Sequence, residues 1–201
     1  FSREYEFSKY VDFDSSHNLY ILDSYKGTIF VFDENGNRLR QFGKLGQGPG
    51  EFESPNCMVI KNNRIYVFDG LFLLKILTLD GNYIRQSKID IVYLNPLMIK
   101  PVGDKFYLLA GETDRTFTDL TLILISTDDS FSGRKELFRY KFPLGLKGPS
   151  CWKWLFINGE GEFYFPLANM DKYLITKFDK DGQPVLSFGR KYKIQRHHRR
   201  E

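Results

Sequence analysis

The residues most suggestive of chemistry lie between Phe42 and Pro55. There FGKLGQGPGEFESP brings Gly43, Gly46, Gly48 and Gly50 close together, as a phosphate-cradling loop would. A Walker loop needs Lys and then Ser or Thr after its last glycine, so that an ammonium and a hydroxyl reach phosphate and magnesium. Here Gly50 is followed by Glu51 and Phe52. A dinucleotide fingerprint needs its glycines to open a helix whose amides meet the pyrophosphate. This segment runs through Pro55 into a strand-like MVI instead. Its glycines therefore read as backbone geometry: they permit positive φ and close approach, while Pro49 and Pro55 stiffen a connector between two strands.

Other reactive residue types are thinly spread. His17 lies in DSSHNL and reads as an ordinary polar turn residue, and His197 and His198 fall in a basic tail. Cys57 and Cys151 form no CxxC pair and are too few for a disulfide scaffold. In CWKWLF, alternation along a strand sets Trp152 and Trp154 on one face and Lys153 on the other. Large aromatics so placed can form a binding platform, which makes Trp152, Lys153 and Trp154 candidate binding residues.

The chain carries +4 overall, but residues 190 to 201, RKYKIQRHHRRE, hold six cations against Glu201. The rest is therefore nearly neutral, at −1, and a body of that charge argues against nucleic-acid binding. The tail remains the one segment able to contact RNA phosphates, an acidic membrane surface or an acidic partner. No apolar run approaches the length of about 18 residues that marks a membrane span. No signal peptide opens the chain, and its first residue is Phe1, so it reads as a processed chain or an excerpt.

What positions these residues is a repeat. NLYILDSYKGTIFVFDENGNRLRQFG from Asn18 recurs as RIYVFDGLFLLKILTLDGNYIRQSK from Arg64 and as EFYFPLANMDKYLITKFDKDGQPVLSFG from Glu162. A more worn copy pairs KFYLLAGE from Lys105 with LTLILISTDDS from Leu120. The anchoring tyrosines, Tyr20, Tyr66, Tyr107 and Tyr164, are 46, 41 and 57 residues apart, the length of a four-stranded unit. Turns reading DENGN, DGN and DKDGQ supply Gly36, Gly81 and Gly182 for positive φ, as β-hairpins require. Aromatics at 16% of the chain fit pleated strands, and Ile29, Val31 and Leu39 alternate with Thr28 and Arg38 as in packed sheets.

The expectation is an all-β β-propeller of four-stranded antiparallel blades, at about 11–51, 52–92, 93–147 and 148–189, with a basic tail at 190–201. Cys57 and Cys151 then lie two blades apart, too far for a disulfide, and read as free buried thiols. GQGPGEFESP, MVIKNNRIYVFD and LDGNYI resemble the NHL repeat and the related six-bladed propellers of the TolB-like type, over most of residues 11 to 189. Four blades are fewer than such rings close with. Either the chain is part of a longer ring, or Phe1 to Tyr10 adds a closing strand.

The resemblance implies a non-catalytic module that engages a protein, peptide or glycan through one face, with no cofactor. Many bacterial relatives of this type are exported, which implies an extracytoplasmic setting, periplasmic or lipoprotein-like. The alternative it implies is a metal-dependent hydrolase or lactonase holding a divalent cation such as calcium in the central channel. Asp12, Asp14, Glu51 and Asn56 are the candidate ligands, although each also reads as a turn or connector residue. A third reading is RNA binding through the tail.

Overall fold

The computed structural model describes residues 8–70, 73–89, 95–113, 119–128, 130–131, 133–143, 155–166 and 172–191. Sixteen strands among them form four antiparallel sheets, each a meander in chain order. Sheet I comprises β1 (Ser8–Phe13), β2 (Leu19–Asp23), β3 (Thr28–Phe32) and β4 (Arg38–Phe42). Sheet II comprises β5 (Pro55–Lys61), β6 (Arg64–Asp69), β7 (Leu73–Thr78) and β8 (Tyr83–Lys88). Sheet III comprises β9 (Asn95–Val102), β10 (Lys105–Thr113), β11 (Asp119–Thr127) and β12 (Arg134–Pro143). Sheet IV comprises β13 (Phe156–Ile157), β14 (Phe163–Pro166), β15 (Lys172–Phe178) and β16 (Pro184–Lys191).

Local chemistry sets the hairpins. In the turn between β3 and β4, Asp33 Oδ1 accepts the N–H groups of Asn35 and Asn37 at 2.9 and 2.8 Å, and Asp179 does the same for Asp181 and Gln183 between β15 and β16. The backbone then needs a positive φ, which Gly36, Gly81 and Gly182 adopt at 81°, 87° and 86°. The register places Pro55 opposite Asp69 and Pro96 opposite Ala110, so both prolines hold one place at the start of a first strand.

Packing is face to face between successive sheets. Tyr20, Leu22, Ile29 and Val31 of sheet I meet Met58, Ile65, Val67 and Leu77 of sheet II. Val59, Tyr66, Phe68 and Ile76, from the opposite face of sheet II, meet Ile99, Phe106 and Leu108. Tyr107, Leu109, Leu122 and Leu124 meet Ile157, Phe163, Phe165 and Phe178 of sheet IV. A sheet covered on both faces reads as a nearly continuous apolar run, as in KFYLLA and LTLILI, and each fully buried Leu or Phe contributes about 1.5–3 kcal/mol.

The worn third unit has the longest strands, of 8 to 10 residues, because the sequence around β9 and β12 lacks the Asp-Gly punctuation that betrays the others. Leu39 does not share the burial of Ile29 and Val31: it is 48% exposed, since β4 is an outer strand with no neighbour beyond it among the described residues. Strand β1 starts at Ser8, and β16 takes in Arg190 and Lys191 from the basic segment. The outer strands β4 and β8 carry Arg38, Arg40, Arg85 and Lys88, cations that discourage pairing of an open edge with another chain.

Candidate functional site

The first strands of sheets I, II and III converge along one side of the molecule, β1 beside β5 and β5 beside β9. Between them lies an open cleft of about 330 Å³. Its walls are largely apolar, with Val11 from β1, Met58 and Val59 from β5, and Met98 and Pro101 from β9; Asp12 and Lys100 are its charged members.

Both charges belong to joints between sheets. Asp12 Oδ2 accepts the N–H of Ile60 at 2.7 Å, and its Oδ1 accepts the N–H of Phe13 at 2.9 Å. Lys100 Nζ donates to the carbonyl of Ile157 at 2.6 Å and lies 5.1 Å from the centre of the Phe156 ring. Asp12 pairs with Tyr20 and Lys100 with Tyr107, so the two hold the same place in sheets I and III. Ile60 and Ile157 likewise match. Where the neighbouring sheet offers an N–H, the first strand brings a carboxylate; where it offers a carbonyl, an ammonium. Lys61 closes the joint between sheets II and III, donating to the Asp104 carbonyl at 2.8 Å with Nζ 4.3 Å from the Phe106 ring centre.

Two further groups line the cleft in neutral form. Burial, with a smaller contribution from Cys57, pushes the Tyr10 hydroxyl up to about 12. Burial also raises the Cys57 thiol to about 12, against hydrogen bonds from the Ile99 and Met58 backbone. Cys57 is free and only 1% exposed, which leaves it a packing residue rather than a nucleophile.

The four candidate metal ligands are found in separate local networks. Asp14 accepts the N–H groups of Ser16 and Asn18, the Asn18 side chain and the Tyr20 hydroxyl. Burial raises its pKa, but these bonds outweigh burial and hold the carboxyl below its ordinary value. Glu51 Oε2 accepts the Gly48 N–H at 2.9 Å and Oε1 lies 3.0 Å from Lys44 Nζ, and in that order these two groups lower its pKa. Asn56 donates to the Gly70 carbonyl at 2.8 Å. Among the described residues no group of three or more His, Cys, Asp or Glu could hold a metal ion. His17 adopts φ 61° in the turn after β1 and is exposed. Cys151, Trp152, Lys153, Trp154 and residues 192–201 lie outside the described residues.

The glycine-rich stretch is the joint between sheets I and II. Gly46 N–H bonds to the Phe52 carbonyl and Phe52 N–H to the Lys44 carbonyl, folding the loop over a fully buried Phe52 ring. At Gly43 an added Cβ would lie 2.7 Å from both the Gly27 carbonyl oxygen and the Phe52 ring, so no larger residue fits. Sequence reasoning missed what fastens this loop to sheet II: Asp69 accepts the N–H groups of Glu53 and Ser54, and Lys75 donates to the Glu51 carbonyl. The available signal was a lysine in the midst of LLKILT.

Solved structures similar to this chain are propellers and proteins of unassigned role. A protein of unknown function from Bacteroides caccae is 15% identical, with 85% of this chain and 57% of that chain covered and a TM-score of 0.44. Virginiamycin B lyase from Staphylococcus aureus, solved with quinupristin, is 10% identical over 93% of this chain and 71% of that one, at 0.50. The extracellular domain of a protein described as a hybrid two component system, from B. thetaiotaomicron, is 14% identical over 90% and 22%, at 0.49. This chain thus spans 57% of the first of these, and at such identities the likeness is one of fold alone. No curated protein matches the sequence. The model of a family described as 6-bladed beta-propeller (DUF5128) matches residues 9–180, and the chain belongs to that family.

Proposed function

We propose that this chain is a non-catalytic binding module that engages a protein, peptide or glycan through one face of its propeller. The observation that carries the reading is the cleft between the first strands of sheets I, II and III. Its apolar walls and open mouth suit a ligand held by contact, while the cleft's Tyr10 and Cys57 are neutral and its Asp12 and Lys100 are bonded to backbone. Apolar walls of this kind favour a peptide or protein segment over a sugar, whose hydroxyls need free polar partners. We set the module outside the cytoplasm, a placement supported by the resemblance to exported propellers and checked by fractionating the source cells.

The test is a screen of the purified chain against peptide and glycan arrays, repeated with Val11→Glu at an exposed wall of the cleft. A ligand whose binding falls at least about tenfold in the variant, at an unchanged melting temperature, supports the reading. Ligands indifferent to the cleft, or turnover of any of them, would remove it.

A further inference from the structure

The side chains of the cleft are largely apolar, but the strands beneath them carry backbone polar groups whose direction the register fixes. Lys61 faces Arg64 and Val102 faces Lys105 across two-residue turns, where such a pair exchanges both of its hydrogen bonds. In sheet I the Asp14 N–H bonds to the Asn18 carbonyl across the turn after β1. Counting back along each first strand with period two, Val11 and Phe13, Met58 and Ile60, and Ile99 and Pro101 fall at the other kind of pair. Their N–H and C=O groups therefore point away from β2, β6 and β10, to the open side where the cleft lies.

The donors among these groups are almost all in use. The N–H groups of Phe13 and Ile60 go to Asp12, at 2.9 and 2.7 Å. Those of Met58 and Ile99 go to the Cys57 sulfur, and Pro101 has none. Val11 N–H remains, with the Tyr10 hydroxyl, which accepts as well as donates. The acceptors are free: among the described residues no hydrogen bond reaches the outward carbonyls of Val11, Met58, Ile60, Ile99 and Pro101. Asp12 adds a carboxylate that has about four acceptor positions and uses two of them. Lys100 does not offset that charge within the cleft, because its ammonium is turned to sheet IV, on the Ile157 carbonyl and near the Phe156 ring.

We infer that the cleft takes an alkylammonium group, from the lysine side chain or the amino terminus of a peptide, with its N–H groups on Asp12 and the free carbonyls. This names the ligand of the binding module proposed above and rests on that reading. An ammonium brings three donors and no acceptor, the complement of an acceptor-rich cleft. A carboxylate brings acceptors only, and a sugar hydroxyl needs a donor as well. An added β-strand would need N–H groups that are already in use. A bare divalent cation would need more carboxylates than Asp12 alone. The alkyl chain lies on Val11, Met58 and Met98, the wall that Val11→Glu takes away.

Backbone amide NMR of the full chain, titrated with n-hexylammonium up to about 20 mM, reads the site directly. The amide signals of Val11, Met58 and Ile60 shift and saturate. n-Hexanol binds at least about tenfold more weakly, as does n-hexyltrimethylammonium, which keeps the charge but has no N–H, and n-hexanoate does not bind. Asp12→Asn keeps an acceptor for the Ile60 N–H and weakens hexylammonium binding by at least about tenfold; should that variant not fold, the ligand series decides. An N-acetylated peptide with one lysine, and a lysine-free peptide with a free amino terminus, then show which source the cleft takes. Absence of shifts with hexylammonium, or equal binding of the trimethyl or carboxylate analogue, overturns the inference, even where the peptide screen finds a cleft ligand. Hexylammonium bound by a chain that takes neither peptide keeps the ammonium site and removes the peptide reading.

Discussion

Lys75 Nζ lies 2.8 Å from Asp69 Oδ2 in sheet II, with both side chains closed to solvent, and together they hold three backbone groups of the connector from sheet I. Isolated buried charges are costly, and this pair is tolerated because each member is also bonded to the loop. Asp69→Ala leaves an unpaired buried ammonium and should lower unfolding stability by about 3–5 kcal/mol. Adding Lys75→Met should restore much of that loss. Urea denaturation of the single and double variants checks both, and a double variant no more stable than Asp69→Ala would contradict the pairing.

Gly81 and Gly36 separate conformational strain from crowding. Both adopt positive φ, so alanine at either should cost about 1–2 kcal/mol. At Gly81 the methyl also overlaps the Phe42 ring, whereas at Gly36 it meets none of the described residues. Gly81→Ala should therefore cost about 1–3 kcal/mol more than Gly36→Ala, measured in dilute solution. Equal losses would mean that sheets I and II do not approach as closely as described.

Glu51 makes stability depend on acid. The Gly48 N–H and the Lys44 ammonium lower its folded pKa, so its contribution is complete above the unfolded value and disappears as pH falls through the folded one. Stability should start to decline below about pH 5, in the range where an ordinary Glu titrates. Glu51→Gln should be less stable than wild type at neutral pH and flatter between neutral and acidic pH. Denaturation midpoints across that range decide the matter, and parallel curves would exclude Glu51 as a contributor.

Cys57 should be inert in the native state. Its thiol is raised to about 12 by burial, which leaves almost no thiolate at pH 8. In a Cys151→Ser background, a thiol reagent should label the native chain slowly and the urea-unfolded chain at the rate of a free cysteine. Equally fast labelling of both would place Cys57 at the surface.

Calcium discriminates the two functional readings. A channel site of about 10 μM affinity would stabilise the fold by about 2.7 kcal/mol at 1 mM calcium. For a chain of this length that is a rise in melting temperature of roughly 5 °C or more. The binding-module reading predicts a shift of under about 1 °C, since Asp12, Asp14, Glu51 and Asn56 are engaged in separate networks.

By itself the sequence determined what is local. Hairpin turns at Gly36, Gly81 and Gly182 are legible because positive φ and an Asp or Asn beside it are demands of a few consecutive residues. The tyrosine period revealed the four sheets, since each repeats one strand grammar. The connector role of the glycine-rich stretch followed from the Lys-Ser or Lys-Thr that it lacks. Tertiary structure alone decided which side chains those elements bring together. Asp12 finds the Ile60 N–H 48 residues away, Lys100 a carbonyl 57 residues away, and Lys75 is buried because a loop from the preceding sheet closes over it. The physical reason is that strand periodicity records which face a residue occupies, whereas burial and hydrogen-bond partners depend on what the neighbouring sheet places against that face.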